Sequence, residues 1–530
     1  MANEFDLILS LAITANASLY FAYKRTLRYL QFFQQEDYTS KRFINWYVQN
    51  KAFDRAGSIA VSITAVVSAC VLLAPFSTWL NIAISLMGAG ALYRIASGEE
   101  DPLVSGKIKL KMTARAKRIL YLALGLYLGA LVAVLCCCYI FAGAQAVTAG
   151  WLLQIALVQS HALWLVAANS ILDPYERGLQ ESFANEARAI LKKHKPLVIG
   201  ITGSYGKTST KIVLKDVLGA VSPTFTTPGS INSYMGVTRE IRERLKPEHK
   251  YAVIEMGAYY RGSIAKMCSL TPPNVGIITS IGVMHLERFG SQEAVYQAKS
   301  ELAKAVPADG ILVCNGDNEF CRRVAAENPK KVTLLYGMEP DKGHLDAIMY
   351  DIRSDENGSK FKVKWQGSEY EGFAGVLGRP MLSNILGSFT LVCALGIPPQ
   401  IVLAALRHVK TESNRLEPVR APISAFASGK NGKAPPEGHV LRLNDAYNSN
   451  PIGFAAALDV LASMPGGRKV LVTPGMIELG DRQTEENKNA AVKAAKVCDL
   501  VVIVGSTNKE SLQSGLQEGG FNSAQIKEYA

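Results

Sequence analysis

The sequence lacks any cysteine pattern that binds zinc or builds a disulfide framework. Its nine cysteines show neither metal-ligand spacing nor the regular spacing of a small secreted domain. Three of them, at positions 136–138, lie inside an apolar run, where cysteine acts as a small hydrophobic residue. These absences exclude zinc-finger and disulfide-rich secreted proteins, and the other cysteines suit a reducing cytoplasm.

Signals of nucleic-acid binding and of repeat architecture are also missing. The 530 residues contain no internal repeat and no cluster of aromatic and basic residues of the kind that binds single strands. The net charge of +12 comes from 57 Lys and Arg against 45 Asp and Glu, and much of the excess lies beside apolar runs. Basic residues placed there indicate membrane topology, so we expect no nucleic-acid partner.

Long apolar runs dominate residues 1–173. They predict a membrane domain of about five transmembrane helices, because a span needs about 20 mainly apolar residues. The first run lacks the basic start of a cleavable signal. The predicted spans are residues 7–23, 58–73, 79–95, 119–142 and 151–171.

The loops between these spans predict their orientation. The connections 74–78 and 143–150 contain no Lys or Arg, whereas the other two are basic. The basic residues are Lys24, Arg25, Arg28, Lys41, Arg42, Lys51 and Arg55 in one loop, and Lys107, Lys109, Lys111, Arg115 and Lys117 in the other. Because basic loops stay in the cytoplasm, the N-terminus is predicted outside and the C-terminus inside.

Four polar residues of the fifth span have two interpretations. Gln154, Gln159, His161 and Asn169 would either line a headgroup or substrate site, or form hydrogen bonds between helices of the bundle. We favour the second interpretation.

The rest of the chain has the pattern of an α/β protein. Residues 174–195 predict a connector helix, 196–400 a mostly parallel sheet with crossover helices, and 401–530 a second, Rossmann-like doubly wound domain. The alternation over 345–375 predicts a small antiparallel insertion. The predicted strands are residues 198–202, 251–256, 275–280 and 310–314, then 439–443, 469–473 and 500–504, with a surface loop over 424–438.

A glycine-rich turn follows the first of these strands. Residues 200–210 read GITGSYGKTST, and a helix is predicted over 207–218. Backbone N–H groups and the positive end of a helix dipole meet at such a turn and bind phosphate. Lys207 can reach the outer phosphates and the Thr208 hydroxyl can bind Mg²⁺, so the turn predicts ATP or GTP binding. A plain tight turn would explain the glycines but not the lysine and hydroxyls together.

Three further residues have open interpretations. Glu255 ends an apolar strand, where a carboxylate beside a phosphate loop would bind Mg²⁺, or would instead cap a helix or form a salt bridge. His285 follows another strand and is either a metal ligand or structural. Lys299 lies on an amphipathic helix, and its spacing alone favours a solvated lysine.

Two positions in the last part of the chain suggest nucleotide contacts. Asp445 begins the polar turn DAYNSNP, residues 445–451, which would contact a nucleotide or cap the next helix. Arg415 lies between the two soluble domains, where domain closure would bring a cation onto phosphate.

Taken together, these residues resemble the Mur ligase superfamily, and most closely its MurF-type branch of UDP-N-acetylmuramoyl-tripeptide:D-alanyl-D-alanine ligases. The motifs follow the family order across residues 196–510. They are TGSYGKTS at 202–209, Asn232, EMGAYYRG at 255–262, MHLERFGS at 284–291, AKSEL at 298–302, NGDNE at 315–319, SNRLEP at 413–418 and DAYNSNP at 445–451.

The resemblance implies amide-bond formation driven by ATP, through an acyl-phosphate intermediate. It implies catalytic roles for Lys207, Glu255, His285 and Lys299. The implied magnesium ligands are Thr208, Glu255, His285 and Lys299, the last as a carbamate. The implied ATP-binding residues are Gly203, Ser204, Tyr205, Gly206, Lys207, Thr208 and Ser209, with Asn315 and Asn318 on the adenine side and Arg415, Asp445 and Asn448 from the closing domain.

The sequence departs from the family pattern in several places. Predicted membrane spans stand where the family has a soluble domain that holds the UDP end of its substrate. The family motif Gly-x-His-Asn-x-x-Asn reads GRPMLSN at 378–384, and Ser233 replaces the second Asn of an Asn-Asn pair. The C-terminal ligase domain is expected to be truncated.

We therefore expect a multi-pass protein of the cytoplasmic (inner) membrane whose catalytic domains face the cytoplasm. With ATP and Mg²⁺, it would add D-alanyl-D-alanine or another amino acid to a peptidoglycan precursor, a UDP- or lipid-linked muramoyl peptide. The alternatives are a ligase of the poly-γ-glutamate or folylpolyglutamate type, and a non-catalytic membrane scaffold that binds ATP.

Overall fold

The computed structural model divides the chain into two units, Met1–Glu181 and Ser182–Ala530. The structure describes residues 2–72, 79–105, 109–142, 145–258, 260–282, 289–409, 415–422, 438–446, 449–477 and 479–529. Several predicted features lie outside these ranges. They include the connection 74–78, Lys107, residues 284–288 with His285, residues 413–414, Asn448 and residues 424–437 of the predicted surface loop.

The first unit is built from helices. They are α1 (Ala2–Gln35), α2 (Ser40–Gln49), α3 (Arg55–Leu72), α4 (Trp79–Ser97), α5 (Ala114–Ala142), α6 (Ala146–Gln159) and α7 (His161–His194), the last of which continues into the second unit. Within this unit, buried apolar side chains such as Phe33, Tyr127 and Trp151 fill the contacts between helices.

Three or four of the five predicted spans have the length and composition of a membrane span in the described part of the chain. Among the described residues, α1, α4 and α5 are long and apolar enough to cross a membrane, and α6 with α7 would make a fourth candidate. That pair bends by 59° at Ser160. The apolar part of α3, Arg55–Val71, covers about 26 Å at about 1.5 Å per residue, which is less than the ~30 Å hydrocarbon core.

Hydrogen bonds within the first unit support a structural role for two of the polar residues on α6 and α7. Gln159 donates to the Ser58 hydroxyl on α3 over 2.6 Å, and the Asn169 Oδ1 on α7 accepts from the Arg115 guanidinium on α5 over 3.1 Å. Gln154 is fully buried, and its amide atoms have no hydrogen-bond partner within the described ranges. The contacts of Gln159 and Asn169 agree with hydrogen bonding between helices.

The second unit contains a nine-stranded sheet. Its order is β2-β3-β1-β4-β5-β6-β7-β8-β9, parallel up to β7 and antiparallel from β7 to β9. In chain order the elements are β1 (Leu197–Thr202), α8 (Lys207–Gly219), β2 (Thr224–Thr226), α9 (Tyr234–Arg244), β3 (Tyr251–Glu255), α10 (Ser263–Leu270), β4 (Val275–Ile278), α11 (Gln292–Ala305), β5 (Ile311–Asn315), α12 (Glu319–Glu327), β6 (Val332–Gly337), β7 (Ala347–Asp355), β8 (Gly358–Trp365), β9 (Ser368–Ala374), α13 (Arg379–Ala394) and α14 (Pro399–Leu406).

Helices cover both faces of the parallel strands, which explains why those strands are continuous apolar runs. On β1, Val198 packs on one face, while Ile199 and Ile201 pack on the other with α8, α13 and α14. The strands predicted for residues 196–400 and the antiparallel insertion are confirmed, and the insertion extends the main sheet as β7–β9.

The last part of the chain differs from the prediction at one strand. The predicted strand 439–443 is present as β11 (His439–Asn444), but it pairs antiparallel with β10 (Glu417–Pro422) in a separate two-stranded sheet. The parallel sheet is β12-β13-β14. Its elements are α15 (Pro451–Ser463), β12 (Val470–Thr473), α16 (Gln483–Ala495), β13 (Leu500–Val504), α17 (Lys509–Glu518) and β14 (Ile526–Tyr529).

Candidate active site

The glycine-rich turn joins the end of β1 to the start of α8 and requires glycine at two positions. Gly203 and Gly206 have φ angles of 155° and 83°. A Cβ at Gly206 would lie 2.3 Å from Asn384 Oδ1, and one at Gly203 would lie 2.1 Å from Thr279 Oγ1. Only glycine fits these conformations without displacing a neighbour, so the turn can bring its backbone N–H groups together at the start of α8.

Residues that follow β4 hold the turn in place. The N–H of Ser204 donates to the Ser280 carbonyl over 2.7 Å, and the N–H of Tyr205 donates to the Ser280 hydroxyl over 3.0 Å. The Thr279 hydroxyl donates to the Tyr205 carbonyl. The turn is therefore braced by the neighbouring strand, which limits the entropy lost when a ligand binds.

Lys207 lies directly over the turn. Its ammonium donates to the carbonyl oxygens of Gly203 at 2.7 Å and Ser204 at 3.2 Å. Burial lowers the pKa of Lys207, while Glu255 raises it and Arg415 lowers it further. The lysine thus stands where a phosphate in the turn would meet a cation.

Glu255, at the end of β3, lies beside the first turn of α8. It is 1% exposed, and its Oε1 accepts hydrogen bonds from the Thr208 hydroxyl at 3.1 Å and the Asn232 amide at 2.9 Å. A buried carboxylate next to a hydroxyl supplies the hard oxygen ligands that Mg²⁺ prefers. Within the described residues no three His, Cys, Asp or Glu side chains form a metal-binding group, and the position of His285 is not among those residues.

Lys211 is a residue of the site that was not predicted from the sequence. Its ammonium lies 3.0 Å from Glu255 Oε2, and both side chains are almost fully buried. One signal was present, because Lys211 follows Thr208 by three residues on a predicted helix and so shares its face. That spacing, with Glu255 predicted beside Thr208, would have placed Lys211 at the site.

Lys299 is buried, so the prediction of a solvated lysine from its spacing alone is wrong. It is 3% exposed on the inner face of α11, which also carries Val295 and Leu302. Burial, and next the charge of Lys207, lower the pKa of Lys299 well below its ordinary value. No carboxylate in the described part of the chain forms an ion pair with it.

Asn315 and Asn318 have structural partners. The Asn315 amide donates to the Thr279 carbonyl over 2.9 Å. Asn318 caps the start of α12 by accepting from the Cys321 N–H at 3.1 Å, and it donates to the Ile281 carbonyl at 3.1 Å. Their implied contact with adenine remains a prediction.

A cleft of about 370 Å³ brings most of the predicted residues together. Neither Asn315 nor Asn318 lines it, and neither does Lys299. The lining residues include Ser204, Tyr205, Gly206, Lys207, Thr208, Ser209, Ser230, Asn232, Glu255, Gly378, Asn384, Arg415, Asp445 and Asn450. One cleft is therefore lined by residues of the glycine-rich turn, by the predicted magnesium ligands Thr208 and Glu255, and by Arg415 and Asp445, which were predicted to contact the nucleotide.

Asp445 is fixed at the edge of this cleft. Its Oδ1 accepts the Leu416 N–H at 3.0 Å, next to Arg415. Burial raises the pKa of Asp445 to about 6, although the Leu416 hydrogen bond and the Arg415 charge act in the opposite direction. Asn450, at the end of the same turn, caps α15 by accepting from the Gly453 N–H.

Comparisons with known proteins agree with this geometry. Residues 201–392 match the Mur ligase middle domain. The UDP-N-acetylmuramoyl-tripeptide–D-alanyl-D-alanine ligases of Escherichia coli and Bacillus subtilis are 32% and 30% identical, over 61% and 60% of this chain and 67% and 65% of theirs. The chain thus spans about two thirds of these relatives' length. A MurF ligase from Thermotoga maritima, solved with ADP, is 27% identical with a TM-score of 0.55, over 66% of this chain and 74% of that one.

Proposed function

This chain belongs to the Mur ligase family, in its MurF-type branch, and from that premise we propose that it is an ATP-dependent ligase acting on a peptidoglycan precursor. The observation that carries the proposal is the shared position of the glycine-rich turn, Lys207, Thr208 and Glu255 around one cleft. The incoming group would be D-alanyl-D-alanine or another amino acid, and the acceptor a muramoyl peptide.

The proposed reaction has two displacements. A carboxylate oxygen of the acceptor attacks the γ-phosphorus of ATP. The bond from that phosphorus to ADP breaks, ADP is the leaving group, and the acceptor becomes an acyl phosphate. The amine of the incoming group then attacks the acyl carbon, and inorganic phosphate leaves as the amide forms. Positioning and charge neutralisation would supply most of the rate enhancement in both steps.

The residues of the cleft have distinct roles in this proposal. The turn 203–206 and the start of α8 bind phosphate oxygens through backbone N–H groups, and Lys207 adds a positive charge. Thr208 and Glu255, with His285 and carbamylated Lys299, would hold Mg²⁺, which neutralises phosphate charge when bound. Asn315, Asn318, Arg415, Asp445 and Asn448 are proposed nucleotide contacts.

The burial of Lys299 supports its proposed carbamylation. Only a neutral amine reacts with CO₂, and the lowered pKa of Lys299 keeps the amine neutral closer to physiological pH. The product is a carboxylate that carries negative charge where the amine carried none.

We also propose that α1, α3, α4, α5 and the α6–α7 pair anchor the protein in the cytoplasmic membrane as five crossings, an odd number that places the N-terminus outside and the C-terminus inside. Length and composition support this for α1, α4, α5 and the α6–α7 pair, and α3 is a shorter apolar helix. With α3 as a crossing, the two basic loops lie on the same, cytoplasmic side. The catalytic part would then face the cytoplasm, where ATP is present. An acceptor that is itself linked to lipid would suit an anchored enzyme.

Anchoring is tested by fractionation. We expect the full chain to remain in the membrane pellet after washing with alkaline carbonate and to be released only by detergent. A tag at the N-terminus should react with an impermeant reagent added outside the cells, and a tag at the C-terminus should not. Release by carbonate, or the opposite labelling, would contradict the proposal.

The activity is tested by mass spectrometry of products. Detergent-purified protein receives ATP, Mg²⁺, bicarbonate, D-alanyl-D-alanine and either UDP-muramoyl-tripeptide or a lipid-linked muramoyl peptide. We expect a product heavier than the acceptor by the dipeptide less one water, and none without ATP. Exclusive use of the soluble acceptor would refute the lipid-linked form of the proposal. ATP binding without any product would favour the scaffold or another amine.

A further inference from the structure

Lys211 is a buried cation outside the lining of the cleft. It is 2% exposed on α8, one turn after Lys207, and its ammonium has three partners in the structure. These are Glu255 Oε2 at 3.0 Å, the Thr227 hydroxyl at 3.4 Å and the Gly229 carbonyl. Lys211 therefore connects α8, the end of β3 and the turn after β2.

The contacts of Glu255 divide between its two oxygens. Oε1 accepts from Thr208 and Asn232, which both line the cleft, and Oε2 faces Lys211. Two different sets of partners fix the plane of the carboxylate. A buried ion pair contributes little net stability against apolar replacements, so stability alone does not explain this one.

The same lysine also fixes a wall of the cleft. Thr227 is 1% exposed and donates to the Ile231 carbonyl over 2.8 Å, which closes the turn 227–231. Ser230 and Asn232, in and directly after this turn, line the cleft. Through Thr227 and Gly229, Lys211 joins this wall to the carboxylate that would bind the metal.

We propose that Lys211 is a positioning residue for a divalent cation that binds with the nucleotide, an inference that rests on the proposed function. By engaging Oε2, Lys211 leaves Oε1 directed at the Thr208 hydroxyl on the cleft side. It acts through Glu255 and the turn 227–231, without touching the nucleotide. Partners of this kind typically change metal affinity by about 10–100-fold when they are removed.

The test is the affinity for ADP measured by calorimetry on the detergent-purified full chain, once with Mg²⁺ and once with EDTA. Mg²⁺ should raise the affinity of the wild type for ADP, and we expect Lys211→Met to reduce this increase by about tenfold or more. The ADP affinity of the variant in EDTA should stay within about twofold of the wild type, well below one power of ten in the binding constant. Lys211→Arg should recover part of the gain. Lys215→Met, at an exposed lysine on the same helix, is the matched control and should match the wild type.

Other results would overturn the proposal. Equal losses with Mg²⁺ and with EDTA, together with a lower melting temperature, would show a purely structural role. Tighter Mg²⁺-dependent binding in Lys211→Met would show that the lysine competes with the metal. A wild type without any Mg²⁺ gain would refute the metal site itself. Nucleotide binding is measured without an acceptor, so a missing ligase product, which would count against the proposed function, leaves this result unaffected.

Discussion

Replacing Lys207 by alanine is expected to lower product formation by at least about 10²–10³-fold, the scale for losing one hydrogen-bond donor that stabilises a transition state. The ammonium lies over the glycine-rich turn, with carbonyls of Gly203 and Ser204 as its partners. Phosphate bound in the turn would meet this charge, and charge builds up on the phosphoryl oxygens during transfer. The loss should therefore fall mainly on kcat, measured from product mass over time at saturating ATP.

The control is Lys215→Ala. Lys215 is exposed on the same helix, and its replacement removes the same charge. It should leave kcat and the melting temperature unchanged. Since Lys207 is partly buried, the melting temperature of Lys207→Ala must also be measured, and a value close to that of the wild type is expected. A stable Lys207→Ala variant with kcat within tenfold of the wild type would contradict the assigned role.

The phosphate-binding turn could be predicted because all of its determinants are local. A strand, glycines with positive φ, a lysine and hydroxyls follow one another within eleven residues, and no distant contact is needed to recognise them. The place of Glu255 could be predicted from topology. Parallel neighbours end at the same sheet edge, and β1 and β3 pair with Ile201 opposite Glu255.

The features that were missed depend on tertiary packing. An amphipathic pattern shows which face of α11 is apolar, but it does not show that Lys299 lies within the buried face. The composition of β11 predicts a strand, but it does not show which strand will be its partner. The antiparallel pairing of β11 with β10 was therefore not predicted. The bend at Ser160 was not predicted because a hydropathy average does not register a break between two apolar helices.

Replacing Lys299 by methionine is expected to have opposite effects on stability and activity. In CO₂-free buffer near pH 7, the variant should melt about 2–4 °C above the wild type, a change on the scale of about 1 kcal/mol for a domain of this size. Methionine has a similar length and an apolar side chain, so it removes a buried amine that has no ion-paired carboxylate among the described residues. Ligase activity should fall by at least about 10²-fold, because the carbamate cannot form.

The pH dependence separates this explanation from simple repacking. Because the pKa of Lys299 is lowered by folding, the unfolded chain binds more protons than the folded chain below 10.5, the ordinary pKa of lysine. The contribution of Lys299 to wild-type stability should therefore rise with pH between its lowered pKa and 10.5, and the advantage of Lys299→Met should shrink as pH approaches 10.5. Lys304→Met, at an exposed lysine on the same helix, should change neither melting temperature nor activity. A Lys299→Met variant that is less stable at pH 7, or that keeps its activity, would show that burial of the amine serves packing and not carbamylation.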